Sequence, residues 1–116
     1  MKYLLLAAYV LFTQPNMFES YIIGSPSVWF DNESILSQPV TTATQDVRVY
    51  LSVGSKETPE FGKGQDMVTG AYKLASKIRQ ADAKNIKLEL SIIDGAKHST
   101  AFPTTLIQGL DWLYDK

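Results

Sequence analysis

Val47-Arg48-Val49-Tyr50-Leu51-Ser52-Val53-Gly54 is the stretch on which the fold of this chain turns. β-branched and aromatic residues fill it, and polar Ser55-Lys56-Glu57-Thr58-Pro59 follows its closing glycine. That is the composition of a strand running into a loop. Downstream, Met67, Ala71, Leu74, Ala75 and Ile78 recur at three- and four-residue steps. Residues 66–83 are therefore expected to form an amphipathic helix with Lys73, Lys77 and Arg79 turned to water. Ile86-Lys87-Leu88-Glu89-Leu90-Ser91-Ile92-Ile93 reads as strand again, alternating at first and then wholly apolar. A strand–helix–strand unit of this kind places its strands parallel, joined by a right-handed crossover.

The same pattern extends in both directions. Upstream, Phe18-Glu19-Ser20-Tyr21-Ile22-Ile23-Gly24 reads as a further short strand, closed by Gly-Ser-Pro. Between it and the central strand, residues 25–45 are rich in Ser, Pro, Thr, Gln and Asn and are expected to be irregular. Trp29 and Phe30 lie in that stretch, where two large aromatics suit a pocket wall or a cap, or simply staple the loop to the core. Downstream, Pro103 suits the first turn of a last helix carrying Leu106, Ile107, Leu110, Trp112, Leu113 and Tyr114. The expected fold is a single α/β domain over residues 1–116, three layers deep, with a mostly parallel sheet of about three strands flanked by helices.

The opening run, Met1 to Phe12, is one basic residue followed by apolar ones. It is too short to cross a bilayer, and Thr13-Gln14-Pro15 lacks the small residues a signal peptidase prefers. A buried helix, apolar on most of its circumference and stopped by Pro15, is the preferred reading. A cytoplasmic location is favoured accordingly, with a secretory leader over residues 1–12 as the alternative.

Composition narrows the function. With 11 basic and 12 acidic residues among 116, the net charge is −1, and no basic run is present that could track phosphates. Neither nucleic acid nor a membrane is an expected partner. Cysteine is absent and His98 is the one histidine, which leaves no thiol chemistry and only scattered carboxylates for a metal. No metal or other cofactor is expected.

Ligands of open parallel sheets bind at the carboxyl ends of the strands. Three polar loops belong there: Gly24-Ser25-Pro26-Ser27, Gly54-Ser55-Lys56-Glu57 and Asp94-Gly95-Ala96-Lys97-His98. Parallel topology thus brings Glu57 and His98 to one edge. A carboxylate that accepts the Nδ1 proton of an imidazole fixes its tautomer and stabilises the imidazolium formed in catalysis. Asp94 is the rival acid, although its place on His98's own strand end suits it better to shaping that turn. Asp31 and Glu33 are most simply surface charges. The sequence contains no Gly-x-Ser-x-Gly.

Four segments resemble the C-terminal portion of the esterase family of α/β-hydrolases, above all its siderophore-esterase-like members, the trilactone and enterobactin hydrolases. They are Tyr9–Phe18, Ile22–Asn32 with its Ser-Pro-Ser-x-Trp, Val49–Glu57, and Gly95–Pro103 around His98. The resemblance implies a partial α/β-hydrolase fold, with His98 as the catalytic histidine and Glu57 at the acid position. Trp29 and Ser25 would lie in the substrate pocket, and a small-molecule ester would be the substrate. It also implies a gap: counting back from Leu11-Phe12-Thr13-Gln14-Pro15, the family's Gly-His-Ser-x-Gly-Gly needs its serine at about Met1, with Tyr3 and Leu4 where its two glycines belong. The expectation is a C-terminal segment of a serine ester hydrolase, inactive alone. The competing expectation is a non-enzymatic, self-associating or binding module, because loss of earlier strands would leave residues 18–24 as an open edge that favours a homo-oligomer.

Overall fold

Three parallel strands form the sheet, in the order β1 (Ser20–Gly24), β2 (Val47–Gly54), β3 (Ile86–Ile93). This computed structural model describes residues 2–26, 28, 30–62, 66–81 and 84–114. Helices α1 (Lys2–Thr13), α2 (Phe30–Ser37), α3 (Met67–Ala81) and α4 (His98–Tyr114) alternate with the strands, and a 3-10 turn over Pro15–Met17 precedes β1. The result is a three-layered α/β arrangement, a parallel sheet flanked by helices.

Register decides which side chains meet which helix. Gly24 pairs with Ser52, and Ser52 with Ser91, so like-numbered alternation runs across all three strands. Successive side chains of a strand point to opposite faces. Tyr21, Ile23, Val49 and Leu51 share one face and form a core with Ala8, Leu11 and Phe12 of α1 and Leu74, Ala75 and Ile78 of α3. Ile22, Gly24, Tyr50 and Ser52 share the other, and α4 lies against it. At Gly109 a Cβ would come within 3.1 Å of both Tyr50 and Ile22, so glycine there lets the helix sit low on the sheet. Thr105 is buried beside Gly24, and its hydroxyl lies 2.9 Å from the Ser52 hydroxyl.

The end of α4 is tied to the sheet by Arg48. Its guanidinium donates to the carbonyl oxygens of Leu113 (2.7 Å) and Trp112 (3.0 Å) and lies 4.4 Å from the centre of the Trp112 ring. A cation at the last carbonyls satisfies groups that the helix itself cannot and complements its dipole. Arg48→Met should cost about 1–2 kcal/mol, the value of two charge-assisted hydrogen bonds partly offset by retained packing. Urea unfolding followed by circular dichroism would measure it, and an unchanged midpoint would count against this role.

Three expectations need correction. Residues 25–45 are not irregular throughout, because α2 occupies their middle. Its Asp, Asn and Ser content is poor for helix formation, but Ile35 is buried in the core and Lys77 donates to the Leu36 carbonyl at 2.9 Å. Tertiary contacts thus supply what propensity lacks, and a Glu33–Lys73 ion pair of 2.8 Å joins α2 to α3 at the surface. That hydrogen bond and charge push the Lys73 ammonium above its usual range.

Helix α4 begins at His98 rather than at Pro103. The Lys97 carbonyl accepts from the amides of Thr100 and Ala101, and Ala101 is fully buried, so a turn forms ahead of the proline. Pro103 has no N–H to give the Ser99 carbonyl. Over residues 6–13, helix α1 is not buried all round: Ala8, Leu11 and Phe12 are inaccessible, whereas Leu6 and Tyr9 are about half exposed. Among the described residues, no helix is long and apolar enough to cross a membrane.

Candidate active site

The carboxyl edge of the sheet is organised around Glu57. Gly54 ends β2, and a turn closed by the Glu57 amide on the Gly54 carbonyl (3.0 Å) brings the chain back over the strand end. The Glu57 carbonyl accepts from Met67 (2.9 Å) and Val68 (3.3 Å), two of the amides that begin α3 and have no partner within it. The residue is thereby held through its backbone, and its side chain is completely buried.

A buried carboxylate needs hydrogen-bond donors on both oxygens. Oε2 accepts from the Gly54 amide (2.7 Å) and from the Ser25 hydroxyl (2.7 Å). Oε1 lies 2.7 Å from Nδ1 of His98, whose side chain is 44% exposed. With Nδ1–H donating to the carboxylate, the Nε2 lone pair is the one left to act as a base.

The loops that carry the pair are fastened to each other. Ser55 N–H donates to the Ile93 carbonyl (3.0 Å), Lys56 N–H to the Ala96 carbonyl (2.9 Å), and Gly95 N–H to the Ser55 hydroxyl (2.8 Å). Gly95 takes φ +76°, in the left-handed region that suits glycine, and so turns the chain from β3 back toward Glu57. His98 then stands at the first position of α4.

The four sequence candidates fall out as follows. Glu57 and His98 are in direct contact. Ser25, expected in the substrate pocket, also lines a cleft of about 40 Å³ with Gly24, His98 and Phe102, but its hydroxyl is bonded to Glu57. Trp29 lies outside the described residues; its neighbour Val28 is buried against Gly70 of α3. Asp94, the rival acid, is exposed. Phe102 and the Gly54 amide were not anticipated. The Gly54 amide was legible in principle, since a carboxylate three residues past a strand-ending glycine can fold back onto that glycine's N–H.

The cleft is small, and it is polar where Ser25 and His98 line it and apolar at Phe102. Among the described residues, the exposed edge of the His98 ring opens onto this cleft. Among the described residues, no group of three or more histidine, aspartate or glutamate side chains is arranged to hold a metal.

No family model matches the chain. Over 34 residues it is 47% identical to the siderophore enterobactin esterase of Emericella nidulans, which is 29% of this chain and 11% of that one. The crystal structure of the BES protein from Bacillus cereus superposes with a TM-score of 0.73 at 31% identity, covering 92% of this chain and 40% of that one. Siderophore hydrolase EstB from Aspergillus nidulans superposes with a TM-score of 0.79 at 22% identity, covering 95% and 45%. The chain is a structural homologue of siderophore-esterase-like proteins and spans less than half their length.

Proposed function

We propose that this chain supplies the acid–base portion of a serine ester hydrolase. The observation that carries the reading is the 2.7 Å contact between a fully buried Glu57 and a half-exposed His98 at the carboxyl edge of a parallel sheet. In that reading His98 Nε2 takes the proton of a serine hydroxyl as its oxygen bonds to an ester or lactone carbonyl carbon. The imidazolium then gives the proton to the departing alkoxide as the C–O bond breaks, and a water repeats the cycle to free the acid. Glu57 holds the Nδ1–H tautomer and stabilises the transient imidazolium.

The 116 residues contain no Gly-x-Ser-x-Gly, so the serine comes from polypeptide outside them. Carboxylic esters of the siderophore type are the substrate class that the local identity to an enterobactin esterase supports. Joined to a matching hydrolase portion, the chain should support ester turnover that depends on His98. By itself it should hydrolyse p-nitrophenyl acetate no faster than a free histidine side chain does, because an imidazole alone attacks this activated ester. A turnover of the isolated, pure chain well above that level, with an acyl group trapped on one of its own serines, would contradict the outside origin of the nucleophile.

A second reading, self-association, is favoured by the apolar surface on one side of the molecule. Phe102, Leu106, Leu110 and Tyr114 recur every four residues along α4 and are between 42% and 68% exposed. Strand β1 lies at an edge of the described sheet, and Met17 and Phe18 just before it are more than half exposed. Unpaired edges and apolar patches associate. The expected result for this chain is a dimer or larger species in light scattering at moderate concentration. A strictly monomeric mass would count against it.

A further inference from the structure

We propose that Ser25 is a positioning residue that fixes the plane of the Glu57 carboxylate, and so the direction from which His98 must meet it. The inference rests on the reading of Glu57 and His98 as acid and base, and it concerns a different residue and a different bond.

Where β1 ends at Gly24, the ladder to β2 continues one residue further: the Ser25 amide donates to the Ser52 carbonyl at 2.7 Å. Ser25 then takes φ +47°, an unfavourable region for a residue with a Cβ. This turn carries the hydroxyl of Ser25, a residue only 5% exposed, over β2 to Glu57 Oε2, 2.7 Å away. A serine kept buried in a left-handed conformation where glycine would fit more easily points to a use for its hydroxyl.

The use follows from the geometry of the carboxylate. The last torsion of a glutamate is broad and nearly two-fold, so the side chain alone does not choose an orientation. Two donors, Gly54 N–H and Ser25 O–H, meet on Oε2 at 2.7 Å each and leave Oε1 for the imidazole. Gly54 N–H alone would still anchor one oxygen but would let the carboxylate plane swing about that single bond. Ser25 supplies the second point that fixes the plane and hence the direction in which His98 must present Nδ1–H. Ser25 is itself buried, so its hydroxyl is placed to serve the carboxylate.

The test is the tautomer of His98 in the 116-residue chain, read from its imidazole ¹⁵N shifts in a long-range proton–nitrogen spectrum at a pH where the ring is neutral. The unmodified chain should show predominantly the Nδ1–H form. Ser25→Ala and Ser25→Gly should move both nitrogens toward the averaged shifts of a free histidine, with circular dichroism unchanged. Should Ser25→Ala fail to fold, Ser25→Gly carries the test, because glycine takes φ +47° freely. In an active assembled hydrolase, Ser25→Gly should lower kcat about tenfold with KM nearly unchanged, the scale of effect seen when a group supporting a catalytic ligand is removed.

Folded Ser25 variants that keep the Nδ1–H form would overturn the proposal while leaving the acid–base pair standing, provided Glu57→Gln still shifts the tautomer. If Glu57→Gln shifts nothing either, the underlying pair is what fails.

Discussion

Gly54→Ala should destabilise the chain by about 3 kcal/mol, at the upper end of what overpacking costs. A Cβ at this position would overlap the Ala96 carbonyl oxygen and stand 2.7 Å from its carbon, both backbone atoms. No flexible side chain can yield there. The Ala96 carbonyl also accepts the Lys56 amide at 2.9 Å, and Ala96 is itself buried, so relief means moving the β3–α4 loop away from the β2–α3 loop.

Those are the two loops that carry His98 and Glu57, which makes the effect a double one. The variant should lose stability in urea unfolding and should also lose the Nδ1–H signature of His98. Gly95→Ala is the control: its Cβ meets nothing within 4 Å, and only the positive φ is penalised. About 1 kcal/mol is expected there. Equal losses for the two glycines would show that backbone conformation, and not the close approach of the loops, governs this edge.

The largest effect on activity is expected at His98. With the chain joined to a nucleophile-bearing partner portion, His98→Ala should lower kcat/KM by about 10⁴-fold, because serine is left without a general base and the leaving alkoxide without an acid. Glu57→Gln should cost about 10³-fold for a different reason. An amide NH₂ facing the ring donates to Nδ1 and forces the proton onto Nε2, where the lone pair is needed. Glu57→Asp should be nearly as harmful, since a chain shorter by one methylene cannot reach Ser25, Gly54 N–H and His98 together. The two losses should not add in the double variant, as both disable one proton transfer.

Much of this site was legible in the residues. The bounds of β2 and β3 follow from unbroken runs of β-branched and apolar residues, and those of α3 from its helical spacing. Parallel order alone brings the Glu57 and His98 loops to one edge. What the residues hid was decided by contacts distant in sequence.

Helix α2 exists because Ile35 and Leu36 have partners on α1 and α3, which its Asp-Asn-Glu-Ser composition does not announce. The first turn of α4 forms ahead of Pro103 because Ala101 is buried against the sheet. Ser25 was legible as a polar residue at a strand end. That its hydroxyl serves Glu57 rather than a ligand depends on a left-handed turn and a partner 32 residues away. Resemblance to the esterases suggested roles for His98 and Glu57, and what the structure adds is the contact between them.

The most direct test of the acid–base assignment is a graft. Residues 1–116 would replace the 45% of EstB that they match, and the product would be assayed for hydrolysis of a p-nitrophenyl ester beside its His98→Ala and Glu57→Gln variants. The predicted result is measurable turnover that falls by about 10⁴-fold and 10³-fold respectively, with melting temperatures close to that of the parent graft. A folded graft that hydrolyses the ester as fast after His98→Ala as before would contradict the claim that this chain holds the base.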